Sequence, residues 1–269
     1  VPTAWVGTVP FLAYIAVFLL LPTGIVVFDA FRGTGGGFTL SGVHALGDSA
    51  VRSYFLGSLK LSLISSVAGA VLGAVLAYCV ATGNPDGLMR RLYISASGVL
   101  AQFGGVTLAF AFLVTVGPAS GLLFHASWYY GFPAGITLIY VYFQIPLMVL
   151  VFLPAIDGLK IQWREASESL GASTWQYWRY VGGPLLAPAF LGATLLLFAN
   201  ALSAFATIQA WEDQIAYTVP QQISTALSSE VGLSNINYVD VLALGMVILV
   251  AIIMTAYALL QRRAARWLR

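Results

Sequence analysis

Residues 164–188 read REASESLGASTWQYWRYVGGPLLAP, a stretch with two glutamates, two arginines, two tryptophans and two tyrosines. The chain that carries it has 269 residues, is 59% hydrophobic and 8% charged, and has a mean hydropathy of +0.88. An ordinary soluble domain is roughly 25% charged. The solvent of this chain is therefore a bilayer, and residues 164–188 are a polar insertion in a membrane protein.

The insertion divides at Gly171. Trp163 to Leu170 holds no helix breaker, and glycine then supplies the left-handed conformation that ends a helix without a side-chain clash. Ser173 and Gln176 have the S-x-x-Q spacing of a capping box, which starts a second helix at once. Gly182, Gly183 and Pro184 are expected to stop that helix, with Pro184 opening the next one. Trp175, Trp178 and Val181 recur at three-residue spacing and are expected to share one apolar face, while Glu165 and Glu168 lie together on the first helix. Read from these residues alone, the two helices are either an interfacial pair with aromatics among the headgroups or a docking surface for a cytoplasmic partner.

Outward from the insertion the chain is apolar. Six segments, near 9–29, 56–81, 92–116, 134–157, 185–210 and 239–261, reach the length of about 20 residues needed to cross a hydrocarbon core. This predicts an all-α membrane protein with six transmembrane helices, folded as one domain over 1–269. The first segment is longer than a signal-peptide core and no A-x-A site follows it, so it reads as a retained helix. The start at Val1 rather than methionine leads us to expect a natural N-terminal tail before it. Arg90, Arg91, Lys160, Arg164, Arg179, Arg262, Arg263, Arg266 and Arg269 all fall on one side of this arrangement, nine of the twelve Lys and Arg residues. The positive-inside rule makes that side cytoplasmic, with both termini inside. Residues 30–55, 117–133 and 211–238 then face outward, with His44 and His125 among them.

The spacing within the insertion resembles the EAA loop of ABC importer permeases, E-A-A-x3-G-x9-I-x-L-P. Glu165, Ala166, Gly171 and Pro184 match it, while Ser167, Val181 and Gly183 stand where the pattern has Ala, Ile and Leu. The resemblance is close over residues 140–210 and loose over the six-span plan. It implies a type I ABC importer permease fold in the bacterial plasma membrane, with 158–184 as the coupling loop that enters a cleft of a separate ATPase. Glu165, Ala166, Ser167 and Gly171 would form the docking element, and Val181 and Pro184 its exit into the fifth span. The implied partners are two ATPase subunits that bind ATP and magnesium, a second permease of the same kind, an external solute-binding protein and membrane lipid. No cofactor and no catalytic residue is expected in the chain itself.

Several absences agree. Lys60 and Lys160 both follow leucine, so no P-loop lysine is present. Asp29, Lys60, Asp157 and Asp240 lie near span ends, which leaves no intramembrane carboxylate to couple protons. Cys79 stands alone in an apolar run and reads as packing, with no disulfide and no metal site to be argued from it. A net charge of +2 is too small and scattered to suggest nucleic acid.

Asn200, Ser203 and Thr207 recur at offsets of three and seven on the fifth span. They are either interhelical glue or the lining of a solute path, and the resemblance favours the path. Gln102 and Gln144 are open to the same two readings. Gly69, Gly73 and Ala77 repeat every four residues and predict a close helix approach. Pro146 and Pro154 are expected to bend the fourth span. Residues 212–238 mix apolar and polar side chains, as either a contact for the binding protein or a surface loop. An ATP-independent carrier or channel would also have six spans, and an intramembrane hydrolase would need a nucleophile and base within the bilayer. Leu170 to Ser173 and Phe198 to Ala206 resemble the polyamine, iron and phosphonate branch of the permeases more than the sugar branch.

Overall fold

A computed structural model describes residues 3–32, 37–38, 44–84, 86–116, 134–211, 218–228 and 236–266. The outward segment 117–133 with His125, and parts of the other two, lie outside the described residues. The fold is all-α. Helices α1 (Thr3–Ile15) and α2 (Leu21–Ala30) are joined by a π turn, Ala16–Leu20, into one apolar run. Then follow α3 (Ser49–Ala81), α4 (Leu88–Gln102), α5 (Val106–Val116) and α6 (Ala134–Asp157). The insertion holds α7 (Ile161–Ser169) and α8 (Thr174–Tyr177), and a second π turn, Trp178–Gly182, leads into α9 (Gly183–Ser203). The chain ends with α10 (Phe205–Trp211), α11 (Val219–Ser228) and α12 (Ile236–Arg266). Among the described residues, five helical runs are long and apolar enough to span a membrane, and a sixth is a bent pair.

The chain divides into two compact units, Val1–Gly57 with Ala216–Ala251, and Ser58–Ile215 with Ile252–Arg269. In the first unit, Ala30, Val241 and Leu244 form one buried cluster and Val51, Val219 and Leu242 another. Gly245 is needed there because a Cβ would lie 2.5 Å from the Phe55 ring.

In the second unit, α3 packs along α6 as the Gly69-Gly73-Ala77 repeat predicts. A Cβ on Gly73 would sit 2.5 Å from the Met148 Cβ and 2.8 Å from the Ile145 carbonyl, and one on Gly69 2.7 Å from the Gln144 Cβ. Ala77, Met148, Val149 and Leu197 close the core behind them. Pro146 and Pro154 stay inside one continuous helix, Ala134–Asp157. Arg90 at the start of α4 pairs with Asp157 at the end of α6, which brings those two ends together where the insertion begins.

Three sequence expectations need correction. The third span is not one helix: α4 and α5 meet at 98°. Gly105 takes φ +74°, and Phe103 donates back to the Val99 and Leu100 carbonyls, so the helix closes there. The fifth span does not run to residue 210, because Ala204 leaves the helical region at φ −76°, ψ 81° and separates α9 from α10. The second insertion helix does not stop at Gly182-Gly183-Pro184. It passes through the π turn into α9, giving one helical run from Thr174 to Ser203. The reason is steric: proline lacks an N–H and its ring collides with the carbonyl four residues back. A π turn just before it moves the bonding partner to i−5, with the Gly183 N–H on the Trp178 carbonyl. The same device precedes Pro22, where the Leu21 N–H reaches the Ala16 carbonyl.

Candidate coupling element and translocation face

The elbow at Gly171 is built from local hydrogen bonds. Gly171 has φ +77°, its N–H donates to the Glu168 carbonyl at 2.9 Å, and the Ala172 N–H donates to the Ser167 carbonyl at 3.0 Å. This double closure is a Schellman motif, which satisfies two carbonyls that the end of α7 would otherwise leave orphaned. The capping box at α8 is complete: the Ser173 N–H donates to Gln176 Oε1 at 2.7 Å and the Gln176 N–H to Ser173 Oγ at 3.3 Å. Two capped ends meeting over four residues, Leu170 to Ser173, fix the angle between the helices.

Around this elbow the side chains separate into held and free. Arg164 Nε donates to Glu168 at 2.9 Å, and this hydrogen bond, then the carboxylate charge, holds the guanidinium above its ordinary pKa. Glu165 is exposed and has no ion pair among the described residues. Ala166 and Gly171 are exposed, Ser167 is half-buried and donates its Oγ to the Arg164 carbonyl, Val181 is half-buried and Pro184 exposed. Leu170 is 88% exposed and Trp175 71%, so two large apolar side chains project from the elbow uncovered.

Trp175, Trp178 and Val181 do not share one face. Trp178 turns inward, edge-on to Tyr78 of α3 at 5.4 Å, and packs on the α3–α6 core. The π turn adds a residue to the helical circuit, which breaks the three-residue repeat. It also accounts for Gly182 and Gly183. A Cβ at 182 would lie 2.9 Å from the Trp178 ring and one at 183 would lie 2.6 Å from the Trp178 carbonyl, so leucine has no room at 183.

The polar residues of the fifth span are split by the break at Ala204. Asn200 is half-buried and Ser203 exposed at the end of α9, with Ser203 Oγ donating to the Asn200 carbonyl at 3.1 Å. Thr207 lies beyond the break on α10 and is 1% exposed; its Oγ accepts the Gly105 N–H at 3.0 Å. The Tyr140 hydroxyl donates to the Ala204 carbonyl. Gln102 is exposed at the end of α4. Gln144 is fully buried, donates Nε2 to Ser65 Oγ at 3.0 Å and keeps its Oε1 against Gly69 without a hydrogen-bond partner. Of the five expected path residues, Gln102 and Ser203 are thus exposed at the two breaks, Asn200 is half-buried one turn before the second, and Thr207 links the breaks. Gln144 sits in the contact between α3 and α6. Tyr140 and Gly105 belong to the same constellation and were not singled out in the sequence. The Gly104-Gly105 pair was a turn signal for one of them, and nothing local marks the other.

Residues 106–269 match the family described as the inner membrane component of binding-protein-dependent transport systems, and the chain belongs to that family. It is a transmembrane permease subunit of a type I ABC importer, a multi-pass protein of the bacterial plasma membrane with no catalytic role of its own. It is 28% identical over 216 residues to the trehalose transport system permease protein SugB of Mycobacterium tuberculosis, covering 80% of this chain and 68% of that one. It is 26% identical over 220 residues to the sulfate transport system permease protein CysT of Escherichia coli, covering 78% and 76%. Among solved structures it superposes with TM-score 0.71 on a chain of a bacterial ABC transporter involved in import of the acidic polysaccharide alginate, 16% identical, over 97% of this chain and 95% of that one. A chain of the MetNI methionine ABC transporter in an inward-facing form gives 0.61 at 18% identity, over 80% and 95%. These two likenesses show the fold. Family membership replaces the carrier, channel and hydrolase readings.

Proposed function

We propose that this chain supplies half of a solute path and that Glu165 to Pro184 docks it to an ATPase subunit, whose hydrolysis of magnesium-bound ATP drives the path between states. The observation that carries the coupling reading is the elbow. It is capped on both sides, it leaves Leu170 and Trp175 bare, and on the helix before it Glu165 is exposed with no ion pair among the described residues. A rigid turn with an apolar tip and one free charge fits a cleft in a soluble partner. The rest of the assembly in this reading is a second permease, two ATPase subunits and an external solute-binding protein. Asn200, Ser203 and Gln102 line the path, and Thr207 and Gln144 shape it from behind. The polyamine, iron or phosphonate branch has no counterpart among the relatives' names, which give trehalose, sulfate and molybdenum. The reading therefore leaves solute choice to the binding protein.

An interfacial helix pair would also leave Trp175 uncovered, among headgroups. Glu165→Lys separates the two. Docking requires the variant to insert normally, to retain less ATPase subunit on purification and to lose hydrolysis stimulated by the loaded binding protein. A merely interfacial pair would gain headgroup attraction from the new lysine and keep full stimulation.

A further inference from the structure

We infer that Thr207 is a positioning residue for transport: with Tyr140 it sets a pair of helix breaks about which α5 and α10 turn as one body. One break lies inside the bent pair that is apolar enough for the membrane and the other at the end of the apolar run Thr174–Ser203, and a backbone group without a partner is costly in such surroundings. Helix continuation does not supply the partners here; single hydroxyl groups from other helices do. Thr207 Oγ takes the Gly105 N–H at the head of α5, and the Tyr140 hydroxyl takes the Ala204 carbonyl between α9 and α10. The longer helices α4 and α9 pack along α6, whereas α5 and α10 pack chiefly on each other. Leu108 of α5 and Ile208 and Trp211 of α10 lie in one buried cluster, seated on Leu61 of α3 and on Ile136, Ile139 and Phe143 of α6. Gly105 at φ +74°, where a Cβ would make only ordinary contact with Ala206 at 3.8 Å, and Ala204 at ψ 81° are the residues that absorb the change of direction. Hinges are made of a few such residues at element ends. Two side-chain bonds can be exchanged with water or with each other's partners at far smaller cost than unwinding a helix.

The test uses the assembled transporter in vesicles, with Cys79 replaced by serine and pairs of spin labels introduced by cysteine. One pair sits at Val114 on α5 and Leu138 on α6, both exposed; the other at Val114 and Ala210 on α10. Thr207→Val keeps the side-chain shape and removes the acceptor. It should broaden the 114–138 distance distribution, leave 114–210 as in wild type, and raise ATP hydrolysis without binding protein about threefold to tenfold, the shift that one lost interhelical hydrogen bond allows. Thr207→Ser should restore all three, and Tyr140→Phe should reproduce the valine variant. A wild-type 114–138 distribution in both the valine and phenylalanine variants overturns the hinge, and a changed 114–210 distance overturns the single body. Failed assembly of the valine and serine variants alike would make the residue a packing element and overturn the proposal. The distances do not depend on the transport reading, so a broadened 114–138 distance with unchanged basal hydrolysis overturns only the role of Thr207 in transport.

Discussion

Replacement of Gly171 tests the elbow with a cost that can be worked out in advance. A Cβ at this position meets nothing within 4 Å, so Gly171→Ala adds no clash and its whole effect is the backbone penalty at φ +77°. That penalty is about 1–2 kcal/mol for an L-residue in the left-handed region, which lowers the equilibrium constant for closing the elbow by a factor of about 5–30. Gly171→Asn, whose side chain tolerates that region, should lose less. Gly171→Pro should lose most, because it removes the N–H that donates to the Glu168 carbonyl at 2.9 Å and holds φ near −65°. The assay is ATP hydrolysis stimulated by the loaded binding protein in reconstituted vesicles, measured beside the amount of ATPase subunit that copurifies. Stimulation should fall in the order Gly, Asn, Ala, Pro, with membrane insertion unchanged because the site lies outside the spans. Full stimulation in both the alanine and proline variants would refute the view that a fixed elbow is what the partner engages.

Gly73→Ala should behave in the opposite way, failing in assembly and thermal stability of the purified protein while the elbow stays intact, because its Cβ would sit 2.5 Å from the Met148 Cβ and 2.8 Å from a carbonyl. Overpacking of this kind costs typically 1–3 kcal/mol; wild-type stability would mean that α3 and α6 are less closely apposed. Single cysteines at Gly87 and Gly171 should react with an impermeant thiol reagent only from the cytoplasmic side and those at Gly42 and Ser228 only from outside, in a background with Cys79 replaced. External labelling at 171 would reverse the orientation.

How much of this was legible depends on the reach of the forces involved. The Gly171 elbow and the Ser173–Gln176 box close through bonds between residues at most five apart, so spacing alone announces them. The spans are legible because bilayer thickness fixes their length. The bend after Gln102 did carry a mark, the Gly104-Gly105 pair, but hydropathy over a span-length window averages across it. Ala204 carries none: alanine is the best helix former, and its break is bound by Tyr140, 64 positions away. The link from Gly105 to Thr207 spans 102 positions. Within the insertion, the Glu165 and Gly171 spacing could be read, while the exposure of Leu170 could not, since a leucine beside a helix end ordinarily reads as core. The split of Trp175 from Trp178 followed from a π turn, and the demand that produces one, a proline with nowhere to end the helix, was visible only as a stop signal.

That π turn has a mechanical consequence. Because the helix does not end at Pro184, the run from Thr174 to Ser203 has no loop within its 30 residues, and at 1.5 Å per residue it is a rod about 45 Å long. One end is the capping box beside the exposed elbow; the other is the break at Ala204, tied to Tyr140. A tilt of about 5° at the capped end moves the far end by about 4 Å over that length, more than a hydrogen bond can stretch. In the coupling proposed above the rod is a lever, and a small rotation of the elbow would reach Ala204 as a displacement large enough to exchange one bonding partner for another.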